Sequence, residues 1–253
     1  MGTRGSASTE YFLENSYAVI FLYRKKTLQP FERRYNAVNL LDIIEYADES
    51  HKTYKISEKK DPPFTNEAFS KILDDYTKDK DKKLLLKIDY INLVEYLCLL
   101  EYTCKKLNDL GTSGLIYLAA AVSDFYLPKS EMPTHKIQSN QSQGLRLDLK
   151  PVPKMLGKLK SEWCPNAFVV SFKLETDASL LTSKCKQSLE KYKQNIVIGN
   201  LLEDRKNKVE LMQDNGKCNE IILNERQMFV TEIEKLIVNY LIELHNSFKA
   251  VKN

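Results

Sequence analysis

The sequence predicts an α/β fold built on a doubly wound, mainly parallel sheet. Three observations carry that expectation. Short, uninterrupted apolar runs recur at residues 17–23, 115–122, 167–174 and 195–199, the pattern of strands covered on both faces. Segments with apolar residues at helical spacing alternate with those runs, as the helices of a doubly wound sheet do. And 253 residues with 43% hydrophobic content are enough to bury a sizeable core.

Each element follows in order. Ser6 to Leu13 has helix-forming character and ends near Asn15. Tyr17 to Tyr23 is rich in aromatic and β-branched residues and reads as a buried parallel strand. Residues 36–83 are polar and charged, broken at Asp61-Pro62-Pro63, with helical pieces such as Glu67 to Tyr76, and read as a helical insertion. Ile91 to Leu107 sets Leu93, Tyr96, Leu97, Leu100 and Cys104 on one helical face. Leu115 to Val122 is the second strand. A helix is expected from Pro153, with proline in its first turn and Met155, Leu156 and Leu159 facing inward. The third strand, Ala167 to Leu174, leads to Asp177, a cap for a helix over 178–192. The fourth strand ends at Gly199. Asn215-Gly216 marks a tight hairpin between 209–212 and 220–223. A last helix over 229–248 carries Ile233, Leu236, Ile237, Tyr240, Leu241 and Leu244 as one stripe. One segment stands outside this alternation. Leu145, Leu147 and Leu149 alternate with charged residues, the pattern of a half-buried strand, so 136–152 reads as a small β flap and a candidate dimer contact. The whole, 1–253, reads as a single domain.

Composition narrows the function classes. The net charge of +4 is the small difference between 38 basic and 34 acidic residues that are interspersed, which argues for a solvated surface and against a nucleic-acid stripe. Five cysteines, at 98, 104, 164, 185 and 218, include no CxxC pair and cannot all be bridged, so free thiols in a reducing, cytoplasmic setting are expected. No apolar run approaches the roughly 18 residues of a membrane span. His51, His135 and His245 lack ligand spacing, which makes a zinc site improbable, and no metal ligand is assigned. There is no GxSxG, GxxxxGK[ST] or GxGxxG pattern; Gly111-Thr112-Ser113-Gly114 precedes a strand and reads as a turn.

Ligands of such sheets bind beyond the carboxyl ends of the strands. After the second strand come Ala119 to Phe125. Small residues there let a ligand approach the backbone and Asp124 could accept its hydrogen bonds; equally, the alanines could pack a helix closely and Asp124 could start a turn. Lys136 either meets an anion or is a solvated charge. Phe172 either stacks on a base or belongs to the core. Asn200 either reads a base edge or caps a turn.

Taken together, AAAVSDFY, MPTHKIQS, KPVPKML, SFKLETD and the strand ending at Asn200 resemble, in order and spacing, the eukaryotic phosphopantothenate–cysteine ligases. The resemblance runs from Gly2 to the last helix and is weakest over residues 36–83. It implies a Rossmann-like domain with a projecting flap, a homodimer, and a role in coenzyme A biosynthesis. ATP, or CTP as in bacterial relatives, with Mg2+ would activate the carboxylate of 4′-phosphopantothenate as an acyl nucleotidyl intermediate; the amine of L-cysteine would then displace the nucleotide. By position, Ala120, Ala121 and Asp124 would contact phosphopantothenate, and Lys136 would offset charge around the acyl phosphate. Phe172 and Asn200 would contact the nucleotide, and Gly2 and Gly5 would form its phosphate-binding turn. Such amide formation needs no cysteine or histidine nucleophile, in keeping with the thin inventory of those groups. The family pattern begins upstream, with a strand and a glycine loop, whereas this sequence starts inside the following turn; a shortened form of the ligase, or a non-catalytic binding protein of the same family, is therefore also expected to be weighed.

Overall fold

In the computed structural model, which describes residues 2–36, 39–57, 65–135, 137, 146–228 and 231–252, helices and strands alternate as expected. Helix α1 (Thr3–Glu14) leads into strand β1 (Val19–Arg24), and a single 3-10 turn, Glu32–Arg34, follows. Helix α2 (Leu40–Ile43) precedes a hairpin of β2 (Ile44–Asp48) and β3 (Thr53–Ile56). Helix α3 (Asn66–Asp81) starts at Thr65, whose hydroxyl accepts the Ala68 amide at 3.2 Å. Strand β4 (Leu85–Tyr90) then leads to α4 (Leu93–Leu107), capped by Asn92, whose side chain accepts from the Glu95 amide at 3.0 Å. Next come β5 (Leu115–Leu118), the short pair β6 (Phe125–Tyr126) and β7 (Lys150–Pro151), and α5 (Met155–Lys158) with a π turn at Leu159–Trp163. The chain continues through β8 (Phe168–Glu175), α6 (Ala178–Tyr192), β9 (Ile196–Leu201), β10 (Lys208–Gln213), β11 (Cys218–Ile222), α7 (Glu225–Met228) and α8 (Ile233–Lys252).

The parallel strands fall into two sheets. Strand β1 pairs with β4, from Val19 opposite Leu85 to Arg24 opposite Tyr90. The larger sheet has the order β11-β10-β9-β8-β5, parallel from β5 to β9 and antiparallel beyond. Among the described residues no strand pairs β1 with β5, so the two sheets stay separate.

Helices cover both faces of the larger sheet. On one, Phe168, Val170, Ile196, Ile198 and Leu211 pack against Tyr11 and Phe12 of α1 and Ile233, Ile237 and Leu241 of α8. On the other, Val169 and Ile116 meet Leu100 and Cys104 of α4 with Leu159 and Trp163, while Val197 and Met212 meet Leu181 and Cys185 of α6. Val169, Val170, Val197 and Ile198 have no exposed surface, which is why the β8 and β9 segments read as unbroken apolar runs. Burial of each such side chain stabilises by about 1.5–3 kcal/mol.

Several expectations need correction. Strand β4 was not anticipated; its partner β1 is only half-buried, with Ile20 exposed. The segment read as a helical insertion contains the β2–β3 hairpin as well as α3. Strand β5 stops at Leu118, because Ala119 to Val122 leave the sheet toward solvent. Pro153 lies before the cap of α5, whose first residue is Met155. Residues 146–149 form no strand, and Leu147 and Leu149 are exposed; among the described residues of the flap only β7 is a strand, paired with β6, and Leu145 lies outside the described residues. The five cysteines are free thiols, and burial pushes Cys104 up to about 12. Among the described residues no helix is long and apolar enough to cross a membrane.

His245, 1% exposed, ties α8 to the other end of the chain. Its Nε2 is 2.9 Å from the Thr112 carbonyl, which can only accept, so Nε2 carries the proton. Nδ1 then accepts from the Tyr17 hydroxyl at 2.8 Å. Burial lowers the imidazole pKa, outweighing the Thr112 hydrogen bond. As pH falls through about 6.5 the unfolded chain therefore takes up a proton before the folded one does, and stability is lost on acidification. Urea midpoints should drop between pH 8 and pH 5.5, and His245→Gln should flatten that drop; equal drops for the two proteins would exclude His245 as its source.

Candidate active site

Helix α1 begins over the carboxyl ends of the strands. Gly2 precedes it in a left-handed conformation, φ 108, and its carbonyl accepts from the Ser6 amide at 3.1 Å and the Ser6 hydroxyl at 2.8 Å. A side chain at Gly2 would be strained by this backbone, though it would meet Thr27 and Leu28 in the loop after β1 only at contact distance, 3.4 and 3.5 Å. One turn on, a Cβ at Gly5 would lie 3.6 Å from Phe21 of β1 and 3.8 Å from Ala119 just beyond β5. The start of α1 thus lies between β1 of one sheet and the end of β5 of the other. Free amides and the positive end of the helix dipole collect there, an arrangement suited to an anion.

Arg4 sits in the same turn. Its Nη2 donates to Asn200 Oδ1 at 3.2 Å and to the Arg205 carbonyl, and Nη1 lies 3.1 Å from Glu234 Oε1. Arg4 and Glu234 are largely buried, their side chains 16% and 14% exposed. Burial raises the Glu234 pKa, against the pull of the Arg4 charge. Asn200 is buried near the end of β9, with Nδ2 donating to the Ile198 carbonyl at 3.3 Å. Phe172, half-buried on β8, stands edge-on to Tyr117, ring centres 5.1 Å apart, and the Tyr117 hydroxyl is 2.9 Å from Ser8 Oγ of α1. Gly2, Gly5, Phe172 and Asn200 therefore gather around the first turns of α1.

The other predicted residues lie along the rim. Ala120 and Ala121 are exposed, so the reading of them as close-packing residues does not hold; Ala119, the one nearest Gly5, is half-buried. Asp124 is exposed, and Lys154 Nζ is 2.6 Å from its Oδ1. The hydrogen bond and charge of Lys154 lower the Asp124 pKa, so the carboxylate is ionised at neutral pH. The Asp124 carbonyl accepts the Val152 amide at 2.9 Å, which fixes this segment to β7. His135 is exposed, and Lys136 lies outside the described residues.

Two features were not anticipated. One is Arg4. A cation in the first turn opposes the helix dipole, and that broken local rule was the available signal. The other is a clamp on the loop after β1. Arg33 bonds Glu10 of α1 (Nε to Oε1 2.8 Å, Nη2 to Oε2 3.1 Å) and Glu232 before α8 (Nη1 to Oε1 and Nη2 to Oε2, both 2.6 Å). Tyr11 donates to Glu232 Oε2 at 2.9 Å, and the Phe31 amide donates to Glu10 Oε1 at 2.8 Å. Only spatial proximity joins these charges, which are up to 222 positions apart, and periodicity carries no trace of it.

Comparison with known proteins gives this geometry a setting. A phosphopantothenate–cysteine ligase of Oryza sativa subsp. japonica is 40% identical over 246 residues, covering 97% of this chain and 72% of that protein. The chain belongs to the phosphopantothenate–cysteine ligase family. The human member of the family is 35% identical over 252 residues, covering 100% of this chain and 80% of its own length. A solved structure of a Cab2 mutant in complex with phosphopantothenate-cysteine superposes with a TM-score of 0.86 at 36% identity, covering 99% of this chain and 80% of that one. Residues 99–241 match the model of the DNA/pantothenate metabolism flavoprotein C-terminal domain. The α/β fold and the membership in this ligase family agree with the sequence reading.

Proposed function

We propose that this chain is a ligase that joins 4′-phosphopantothenate to L-cysteine in coenzyme A biosynthesis. The observation that carries this is likeness along the whole chain to ligases of that name, and to a Cab2 structure holding phosphopantothenate-cysteine. The nucleotide, ATP or CTP, lies with its phosphates at Gly2 and Gly5 and its nucleoside toward Phe172 and Asn200. Phosphopantothenate lies along Ala120, Ala121 and Asp124, whose carboxylate accepts an N–H or O–H of the pantothenate arm. Attack of one anion on another is opposed by charge repulsion, and the α1 amides, with Lys136 by family position, offset it. Among the described residues no group of three His, Cys, Asp or Glu side chains could hold a metal ion, so Mg2+ would come with the nucleotide phosphates. The exposed Val122, Phe125, Leu147 and Leu149 around the flap support a second copy of the chain as partner, giving a homodimer. The reading is of one domain, acting in the cytoplasm.

The test is pyrophosphate release from the purified chain with Mg2+, 4′-phosphopantothenate, and ATP or CTP, with and without L-cysteine. Release that depends on phosphopantothenate, with phosphopantothenoylcysteine formed when cysteine is added, is expected. Folded chain that releases no pyrophosphate with either nucleotide would overturn the proposal.

A further inference from the structure

Asn200, a predicted nucleotide contact, is hydrogen-bonded by another side chain, and that side chain is Arg4. The surroundings leave the amide one orientation. Arg4 can only donate, so it must face Oδ1; the Ile198 and Lys173 carbonyls, 3.3 and 3.5 Å away, can only accept, so they must face Nδ2. Arg4 is fixed in turn. Its Nη1 faces Glu234 at 3.1 Å, and its Nη2 also donates to the Arg205 carbonyl in the loop after β9. Glu234 lies in the first turn of α8, the helix that packs along α1. A chain of contacts therefore runs from α8 through Glu234 and Arg4 to the amide at the end of β9.

We infer that Arg4 is a positioning residue for nucleotide recognition: it holds the Asn200 amide with Oδ1 polarised and one lone pair free. Arg4 itself touches no reacting atom in this scheme. Without this partner Asn200 Oδ1 would lose its charged donor, and only the long contacts of Nδ2 with the Ile198 and Lys173 carbonyls, at 3.3 and 3.5 Å, would hold the amide. Arg4 also closes the floor of the crevice by joining α1 to the loop at Arg205. This inference rests on the ligase reading above, and specifically on Asn200 lying at the nucleoside.

The experiment measures binding and turnover separately on the full chain. ATP and CTP affinities are read by calorimetry, and the Michaelis constants for nucleotide and for phosphopantothenate by pyrophosphate release. Arg4→Met should weaken nucleotide binding about tenfold or more, the scale of losing one charged hydrogen bond, while the constant for phosphopantothenate moves little. Arg4→Lys, which keeps a charged donor, should recover part of that loss and guards against a fold defect in the methionine variant. The deciding comparison is made in an Asn200→Ala background. If Arg4 acts through Asn200, Arg4→Met adds little further loss there. Full additivity of the two substitutions, or unchanged nucleotide affinity in Arg4→Met, overturns the inference while leaving the ligase reading intact. Wild-type chain that binds neither nucleotide and releases no pyrophosphate overturns both.

Discussion

Gly5→Ala should reduce pyrophosphate release on the order of 10²-fold while leaving the protein as stable as before or more so. The two effects have opposite signs because they act on different states. Within the protein, the added methyl would make ordinary van der Waals contact, 3.6 Å from Phe21 and 3.8 Å from Ala119, so the fold has room for it. Gly5 lies inside α1 with no left-handed backbone, and alanine in a helix interior is favoured over glycine by up to about 1 kcal/mol. Thermal unfolding should therefore hold or rise by roughly 2–4 °C. If the nucleotide phosphates lie at this turn, as proposed, the same methyl would stand where their oxygens approach the helix amides. A backbone donor that cannot be reached is lost to the reaction, as when an oxyanion donor is removed. A variant with wild-type turnover and unchanged nucleotide constant would take Gly5 out of the site. A variant that unfolds early would show that packing alone requires the glycine.

Arg33→Met should cost about 3–5 kcal/mol of stability, equivalent to roughly 10 °C or more in the unfolding temperature. The Arg33 and Glu10 side chains are each only 6% exposed, so removing the guanidinium strands a carboxylate with little water to solvate it. Arg34 reaches Glu10 at 3.1 Å, but that side chain is 46% exposed and compensates weakly. Combining Arg33→Met with Glu10→Leu should recover much of the loss, because an apolar pair of similar volume avoids the stranded charge. Failure of the double variant to recover would place the loss in the loop's packing. The acid limb should respond as well. Burial alone would raise the Glu232 pKa, but the Arg33 hydrogen bonds and charge lower it overall. The stability this contributes is present above the unfolded carboxyl pKa, near 4.3, and is lost as pH falls through the folded value. Arg33→Met should lose that part of the acid dependence, as equilibrium unfolding between pH 3 and pH 6 will show.

The legible parts of this fold were those where local pattern and tertiary environment agree. Strands β8 and β9 are covered on both faces and read as unbroken apolar runs; Asp177 caps α6, its carboxylate accepting the Ser179 amide at 2.9 Å; Asn215-Gly216 turns the β10–β11 hairpin with Gly216 at φ 84. Strand β4 escaped because Lys87 and Asp89 interrupt its apolar residues and the charged stretch before it looked like one insertion. The flap misled in the other direction. Alternating leucines at 147 and 149 predict one buried face, yet both are exposed, because no described element of the chain packs over them. At the candidate site, the family resemblance named Gly2, Gly5, Phe172 and Asn200, and the fold brings Gly2 and Gly5 to the start of α1 and Asn200 against Arg4 of the same turn. Arg4, Glu234 and the Arg33 clamp were not legible, since their meaning lies in pairs more than 190 positions apart.

Those distant pairs also set an order of assembly. Arg33 with Glu232, Arg4 with Glu234, and Tyr17 with His245 close long loops, spanning 199, 230 and 228 positions. During synthesis, α1 and the crevice it borders leave the ribosome early but cannot be latched until residues 232–245 emerge, more than ten seconds later at ordinary elongation rates of about 5–20 residues per second. Until then Arg33 has Glu10 but not Glu232, and the apolar face of α1 lacks its cover from Ile233, Ile237 and Leu241. Contacts of such sequence separation form slowly. Until those residues emerge the start of α1 is therefore unfinished, and that interval is when holding chaperones have a surface to grip.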